Sequence, residues 1–289
     1  MKGRGMALTA VSAILFGMIP FVTSKLFELG LNAVSISFYR YAFMLPILTV
    51  LCVRKKVGFR IQRLEAWNIF LHISFFSTIT MLLLNSSYRY ISTGIATTLH
   101  FLYPLFVILI CKLFYRDVID KKTRRSLFIM LAGIACFLEN VEVKGMIGIL
   151  LALLSGITYA VYLVQMEKKG LGSMHPLQFS LHVSLDTCIL LWCVHLVQKS
   201  IHPLTDLDVI VWLIVISMMS LIALICLQMG SSRLGSKMTS LFSLFEPITS
   251  VLLGVAVLHE SLQITKLAGC ILILLAVLYL ALGNKNSEN

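Results

Sequence analysis

NSSYRYISTGIATTLHFLYPLFVILICKLFYRD, from Asn85 to Asp117, and QMGSSRLGSKMTSLFSLFEPITSVLLGVAVLHE, from Gln228 to Glu260, stand 143 residues apart and share one plan. An amide comes first, Asn85 or Gln228, near the end of an apolar run. A turn follows, then a second apolar run interrupted by proline, Pro104 or Pro247. An acid, Asp117 or Glu260, falls just past its end. Proline removes a donor and clashes with the carbonyl four residues back, so both runs should be broken helices. Literal identity between the stretches is low; the shared order of features is what relates them.

Outward from these stretches the chain is apolar throughout. Hydrophobic residues make up 58% of 289 positions and charged residues 13%, against about half and a quarter in soluble domains. The excess is spread over the whole length, which reads as a membrane protein. The net charge of +11 would suggest nucleic acid in a soluble chain, but here the basic residues sit in short loops between apolar runs. The seven cysteines lie in or beside apolar segments without a CxxC pair, so they read as small buried hydrophobes, with no disulfide framework, no metal and no cofactor. Lys2 and Arg4 precede an apolar run that lacks a cleavage signature, so that run is expected to stay as the first membrane helix.

A helix needs about 20 mostly apolar residues to cross a bilayer. Ten segments qualify or nearly so: Met6–Ser24, Ala33–Val53, Trp67–Ser87, Thr93–Phe114, Ser126–Leu138, Gly145–Gln165, Leu177–Val197, Val209–Gly230, Met238–Leu258 and Leu267–Leu282. The fifth and tenth are short. With the N-terminus inside, 17 Lys and Arg fall on the inner side and five on the outer, while Arg40 and Lys112 lie within helices. That asymmetry predicts both termini in the cytoplasm. The expected fold is therefore an all-α integral membrane protein of ten transmembrane helices, built as two inverted five-helix repeats, residues 1–140 and 141–289. Five helices per repeat is the decisive number, because an odd count inserts the second half upside down. Inverted repeats with broken helices are an architecture of secondary transporters, whose substrate site lies near the bilayer midplane at the repeat interface.

The chain resembles the EamA-type branch of the drug/metabolite transporter superfamily. The matching residues are Tyr39-Arg40-Tyr41, Tyr90 to Ala96 leading to Pro104, Phe245-Glu246-Pro247 through Gly254, Leu258-His259-Glu260 and Leu267-Ala268-Gly269. It departs from the usual family pattern at Asp117, where Glu is common, and at Phe16-Gly17, where a Trp-Gly pair is common. The resemblance implies a central cavity and carriage of amino acids, nucleobases or related metabolites, often outward. With the compact loops, it also implies a cell (inner) membrane location.

Candidate site residues follow from polar groups inside apolar runs, which are costly in lipid and normally face the protein interior. Thr239, Ser243, Glu246 and Ser250 recur at i, i+4, i+7 and i+11 and are expected on one face of the ninth helix. Glu246 suits a substrate amine or a proton; its structural alternative is a paired carboxylate. The 143-residue shift places His100 and Tyr103 opposite Ser243 and Glu246. Arg40, about 10 Å into the second helix at 1.5 Å per residue, could receive a substrate carboxylate or snorkel to the outer headgroups. Ser155, Tyr159 and Tyr162 share a face of the sixth helix, and Ser12, Phe16 and Thr23 lie on the first; Tyr162 and Thr23 could equally be interface anchors. His182 and Asp186, four apart on the seventh helix, read as a structural pair or a proton relay.

No phosphate-cradling glycine loop, serine elbow or zincin spacing is present, so the chain carries no ATP-driven motor and no familiar hydrolase motif. The expected partners are the lipid bilayer, a small-molecule substrate and a coupling proton or ion, with no nucleic acid; the sequence assigns no oligomeric state. The leading function is a secondary transporter with its pocket at the first, fourth, sixth and ninth helices. The alternatives are a membrane-embedded enzyme and a non-transporting scaffold or sensor. Phosphorylated sugars are disfavoured because Arg40 is the one deep cationic clamp.

Overall fold

The computed structural model describes residues 2–115, 121–136, 143–171, 174–204, 206–243, 245–257 and 264–283. The described elements are helices joined by short turns: α1 (Lys2–Glu28), α2 (Ala33–Arg54), α3 (Arg63–Asn68) continuing through a π-helical segment (Ile69–Ser74) into α4 (Phe75–Ser87), α5 (Thr93–His100) and α6 (Tyr103–Tyr115). They continue with α7 (Lys121–Ala135), α8 (Val143–Lys168), α9 (Pro176–Gln198), α10 (Leu207–Phe242), α11 (Phe245–Ala256) and α12 (Ile264–Gly283). Seven helical stretches are long and apolar enough to cross a membrane; Phe245–Ala256 and Leu267–Ala276 are shorter apolar helices.

The faces are arranged for lipid. On α8, Leu150, Leu154 and Ile157 are exposed, and on α10 so are Val211, Ile214, Met218 and Ile222. These follow the helical period, and an apolar stripe of this extent on an outer surface marks contact with a partner or a membrane. Hydroxyls point inward instead: Ser12, Ser74, Ser87, Thr98, Ser155 and Ser220 are fully buried.

The starts of α2 and α9 keep the 143-residue offset. Ala33, which opens α2, carries forward to Pro176, which opens α9. Packing keeps it too. α1 lies along α10 and, by the same shift, α8 lies along α4; α2 pairs with α9 and α7 with α12.

Both proline-bearing runs break, each just before the residue expected. The first is interrupted at Phe101 and Leu102, between α5 and α6. The second is interrupted between Phe242, the end of α10, and Phe245, the start of α11. Pro104 and Pro247 have no N–H to donate to the carbonyls of His100 and Ser243 four residues back, and a proline ring does not fit an unbroken helix at such a position, so the helix parts there.

This corrects two expectations. The division expected between Val209–Gly230 and Met238–Leu258 does not fall after Gly230, because α10 runs unbroken for 36 residues to Phe242 and only then gives way to α11. At 1.5 Å per residue that is roughly 54 Å, well beyond a hydrocarbon core of about 30 Å. The stripe from Thr239 to Ser250 is therefore not one helical face: Thr239 lies on α10, Ser243 at the break, and Glu246 and Ser250 on α11. The third run begins earlier than expected, at Arg63, and contains a π turn. Asp117 and Glu260 lie outside the described residues.

Candidate functional site

A cavity of about 220 Å³ lies inside the bundle. It is below the roughly 300 Å³ lower end of drug-sized ligand pockets, which suits a small metabolite. Its wall is mostly apolar and aromatic, with a few charged and polar groups placed among them. Every wall helix lies next to one of the two breaks or packs on a helix that does.

Of the residues expected at a site, Phe16, Arg40, His100, Tyr159 and Glu246 line this cavity. Arg40 is 8% exposed, so it does not snorkel outward. Its Nη1 lies 4.0 Å from Met81 Sδ, its Cζ lies 5.8 Å from the Tyr41 ring centroid, and its Nε has no hydrogen-bond partner. A buried guanidinium left this incomplete is a high-energy group unless something else supplies acceptors. Glu246 sits in the first turn of α11, where exposed backbone N–H groups favour a negative charge. The charges of Arg40 and Glu246 act on one another across the cavity. They are not in ion-pair contact; among the described residues the one ion pair is Lys25–Glu28, 2.8 Å apart near the end of α1.

His100, at the end of α5, is held by a hydroxyl. Its Nδ1 is 2.9 Å from Ser155 Oγ, and that hydroxyl donates its single proton to the Ala152 carbonyl at 2.6 Å. In the neutral ring Nδ1–H is therefore the donor to Ser155, which leaves Nε2 as an acceptor. An aromatic ladder continues from it: His100 to Tyr159 at 5.2 Å, Tyr159 to Tyr103 at 4.8 Å edge-on, and Tyr159 to Tyr162 at 5.3 Å stacked.

The other expected residues with described side chains lie near the cavity but not in its lining. Ser12 donates to the Ala223 carbonyl at 2.7 Å and ties α1 to α10. Ser250 and Thr97 join α11 to α5 through hydroxyls 3.0 Å apart. Tyr103 and Ser243 are buried beside the breaks, and Ser155 stands behind His100. The side chain of Thr239 is outside the described residues. Tyr162 lines the cavity rather than an outer interface, and Thr23 is fully buried.

Two walls were not expected. Ser77, Met81 and Leu84 of α4 and Tyr88 at its end recur every three or four residues and form one side, together with Asn85, which is hydrogen-bonded to Ser37 at 3.2 Å. Phe179, Ser180 and Val183 of α9 form another. The α4 spacing was the available signal; small hydroxyls and apolar residues carry no other mark of facing a cavity.

Close backbone approaches frame the site. A Cβ on Gly17 of α1 would collide with the Glu246 carbonyl oxygen, and one on Gly156 of α8 would lie 2.9 Å from the His100 carbonyl oxygen. Glycine thus lets α1 and α8 reach the backbone at the two breaks, one in each half.

His182 and Asp186 are not a mutual pair. His182 Nε2 lies 2.9 Å from the Phe59 carbonyl, while Asp186 accepts from Ser74 Oγ at 3.1 Å.

A solved structure described only as a crystal structure of a protein is similar over 95% of this chain and 96% of its own, with a TM-score of 0.68 at 15% sequence identity. That likeness shows the fold. No curated protein matches the chain. The model of the EamA-like transporter family matches twice, over residues 3–138 and 146–282, and so nearly the whole length. The two matches begin 143 residues apart, the offset that relates Pro104 to Pro247. The chain is a multi-pass membrane protein that belongs to the EamA-like transporter family.

Proposed function

We propose that the protein is a secondary transporter that moves a small amphoteric metabolite, an amino acid or a close relative, through the central cavity by alternating access. The observation that carries this reading is the pair of opposite charges on one small cavity, Arg40 and Glu246, neither in ion-pair contact with the other. Arg40 receives the substrate carboxylate, since a guanidinium matches a carboxylate with two parallel hydrogen bonds. Glu246 receives the ammonium. His100, Tyr159 and Phe16 surround the rest of the substrate; Tyr103, Ser155, Ser243, Ser250 and Ser12 hold the breaks and helices that carry it.

Ten spans in two inverted repeats, 1–140 and 141–289, supply the moving parts. The equivalent starts of α2 and α9 and the paired breaks support this division. Both termini lie in the cytoplasm of a cell (inner) membrane, supported by the 17-to-5 split of basic residues. The direction we assign is outward and comes from the family. Binding is tested by thermal unfolding of detergent-purified protein against amino acids, nucleosides, polyamines and drugs, with Glu246→Gln in parallel. A ligand bound only by the folded state raises stability by mass action. Stabilisation by amino acids that disappears in Glu246→Gln supports the reading; stabilisation by nucleosides or drugs alone contradicts it.

A further inference from the structure

Asp186 is the eleventh of 23 residues in α9, at the middle of a span, and it does not line the cavity. A carboxylate anion at that depth costs about 2.5–3.5 kcal/mol on insertion scales, so such residues are usually functional. Its partner is the Ser74 hydroxyl, the last residue of the π-helical segment and fully buried. π turns inside helices are rare and occur frequently at functional sites.

The surroundings connect in two directions. Toward the cavity, the Ser74 carbonyl accepts from Ser77 Oγ at 3.2 Å and from Thr78 Oγ1 at 2.6 Å, and Ser77 lines the cavity. Toward the loop between α2 and α3, the same face of α9 carries His182 one turn away and Gln178 two turns away. His182 Nε2 donates to the Phe59 carbonyl, and Gln178 Nε2 donates to the carbonyls of Gly58 and Arg60 at 2.9 Å each. A titratable ring thus stands between the loop and the acid.

The charges around Asp186 are few. His182 is the titratable group whose charge reaches it. From the π segment there is His72, whose Nδ1 has no partner. α2 carries Tyr39, Arg40, Tyr41, Cys52 and Arg54, of which Arg40 acts on Tyr41, Tyr88 and Glu246. α10 carries Asp208 at its start, Cys226, and further along Arg233 and Lys237. Asp186 has no cationic partner among the described residues.

We propose that Asp186 takes up and releases the coupling proton of the transport cycle, with His182 as its route to the loop at Phe59. This rests on the carrier reading above. As an anion Asp186 can only accept hydrogen bonds; as the neutral acid it can donate one. Each protonation therefore changes the bond that joins α9 to the π segment, and both neighbouring walls, Ser77 on one side and Ser180 and Val183 on the other, shift with it. The substrate charges stay at Arg40 and Glu246, so proton and substrate have separate sites. One proton enters from one side and leaves to the other in each cycle, with no other bond made or broken.

The test uses the purified full chain in liposomes with labelled L-leucine, in two assays: counterflow without a pH gradient, and accumulation driven by an imposed one. Asp186→Asn is expected to keep counterflow and lose gradient-driven accumulation, falling to equilibrium; Asp186→Glu is expected to retain both. Infrared titration of the same proteins reports protonation directly: the pH-dependent carboxylic acid band present in wild type should lose one component in Asp186→Asn. Accumulation by Asp186→Asn equal to wild type, or an unchanged infrared titration, overturns the proposal. Wild type without counterflow contradicts the carrier reading itself, while the infrared titration still decides whether Asp186 binds the proton. If Asp186→Asn fails to fold, Ser74→Ala replaces it, with weakened accumulation expected and unchanged accumulation contradicting the linkage.

Discussion

Arg40 of α2 and Glu246 of α11 line one cavity and feel each other's charge without forming an ion pair. The separation matters more than the attraction. A closed pair would neutralise both groups and leave nothing to recognise; an open pair presents two charged ends to a molecule that carries the complementary charges. The empty and loaded sites then have the same net charge, so a zwitterion moves without leaving either group uncompensated in a medium where that is costly.

The first prediction concerns those two ends. Arg40→Gln should weaken binding of a neutral amino acid by roughly 10- to 150-fold, the worth of about 1.5–3 kcal/mol for hydrogen bonds to a charged group. Leucine amide, which lacks the carboxylate, should be indifferent to that change and N-acetyl-leucine should be indifferent to Glu246→Gln. Ligand-induced shifts in thermal stability measure both.

Gly17 gives a second prediction. Gly17→Ala drives a methyl group into the Glu246 carbonyl and the Thr249 side chain, where backbone leaves no room to yield. Overpacking of this kind costs about 1–3 kcal/mol. Gly3→Ala, with open space around it, is the control. Thermal unfolding in detergent should show a clear loss for the first and little change for the second.

A third prediction concerns His100. Ser155→Ala removes the oxygen that accepts from Nδ1 and leaves a buried donor unsatisfied, at a cost of about 1–3 kcal/mol. Ser155→Thr keeps the hydroxyl and should recover most of the loss. The same unfolding measurement decides it.

Much of this was legible in the sequence, and the failures have physical causes. The start of α2 at Ala33, the paired breaks and the cavity positions of Arg40, His100 and Glu246 all follow from charge or proline inside apolar runs. The walls at α4 and α9 were missed because an otherwise apolar helix does not announce which face meets lipid and which meets a cavity; Ser77 or Val183 suits either. The continuity of α10 was missed because Gly230 to Lys237 looks like a turn. No proline lies there, and packing along α1 keeps the helix going: a Cβ on Gly230 would collide with Thr9 Oγ1.

That continuity is itself a prediction. Spin labels on cysteines placed at Leu207 and Phe242 should lie roughly 50 Å apart, as 1.5 Å per residue requires of an unbroken helix. A chain that turned back near Gly230 would give a far shorter distance.

The central claim is that substrate crosses through the Arg40–Glu246 cavity. Counterflow of labelled L-leucine into liposomes preloaded with unlabelled L-leucine tests it most directly, with wild type and Arg40→Gln reconstituted to equal amounts. Transient accumulation by wild type, reduced at least tenfold in an Arg40→Gln protein of unchanged thermal stability, is the result the account predicts. Equal counterflow by the two proteins would contradict it.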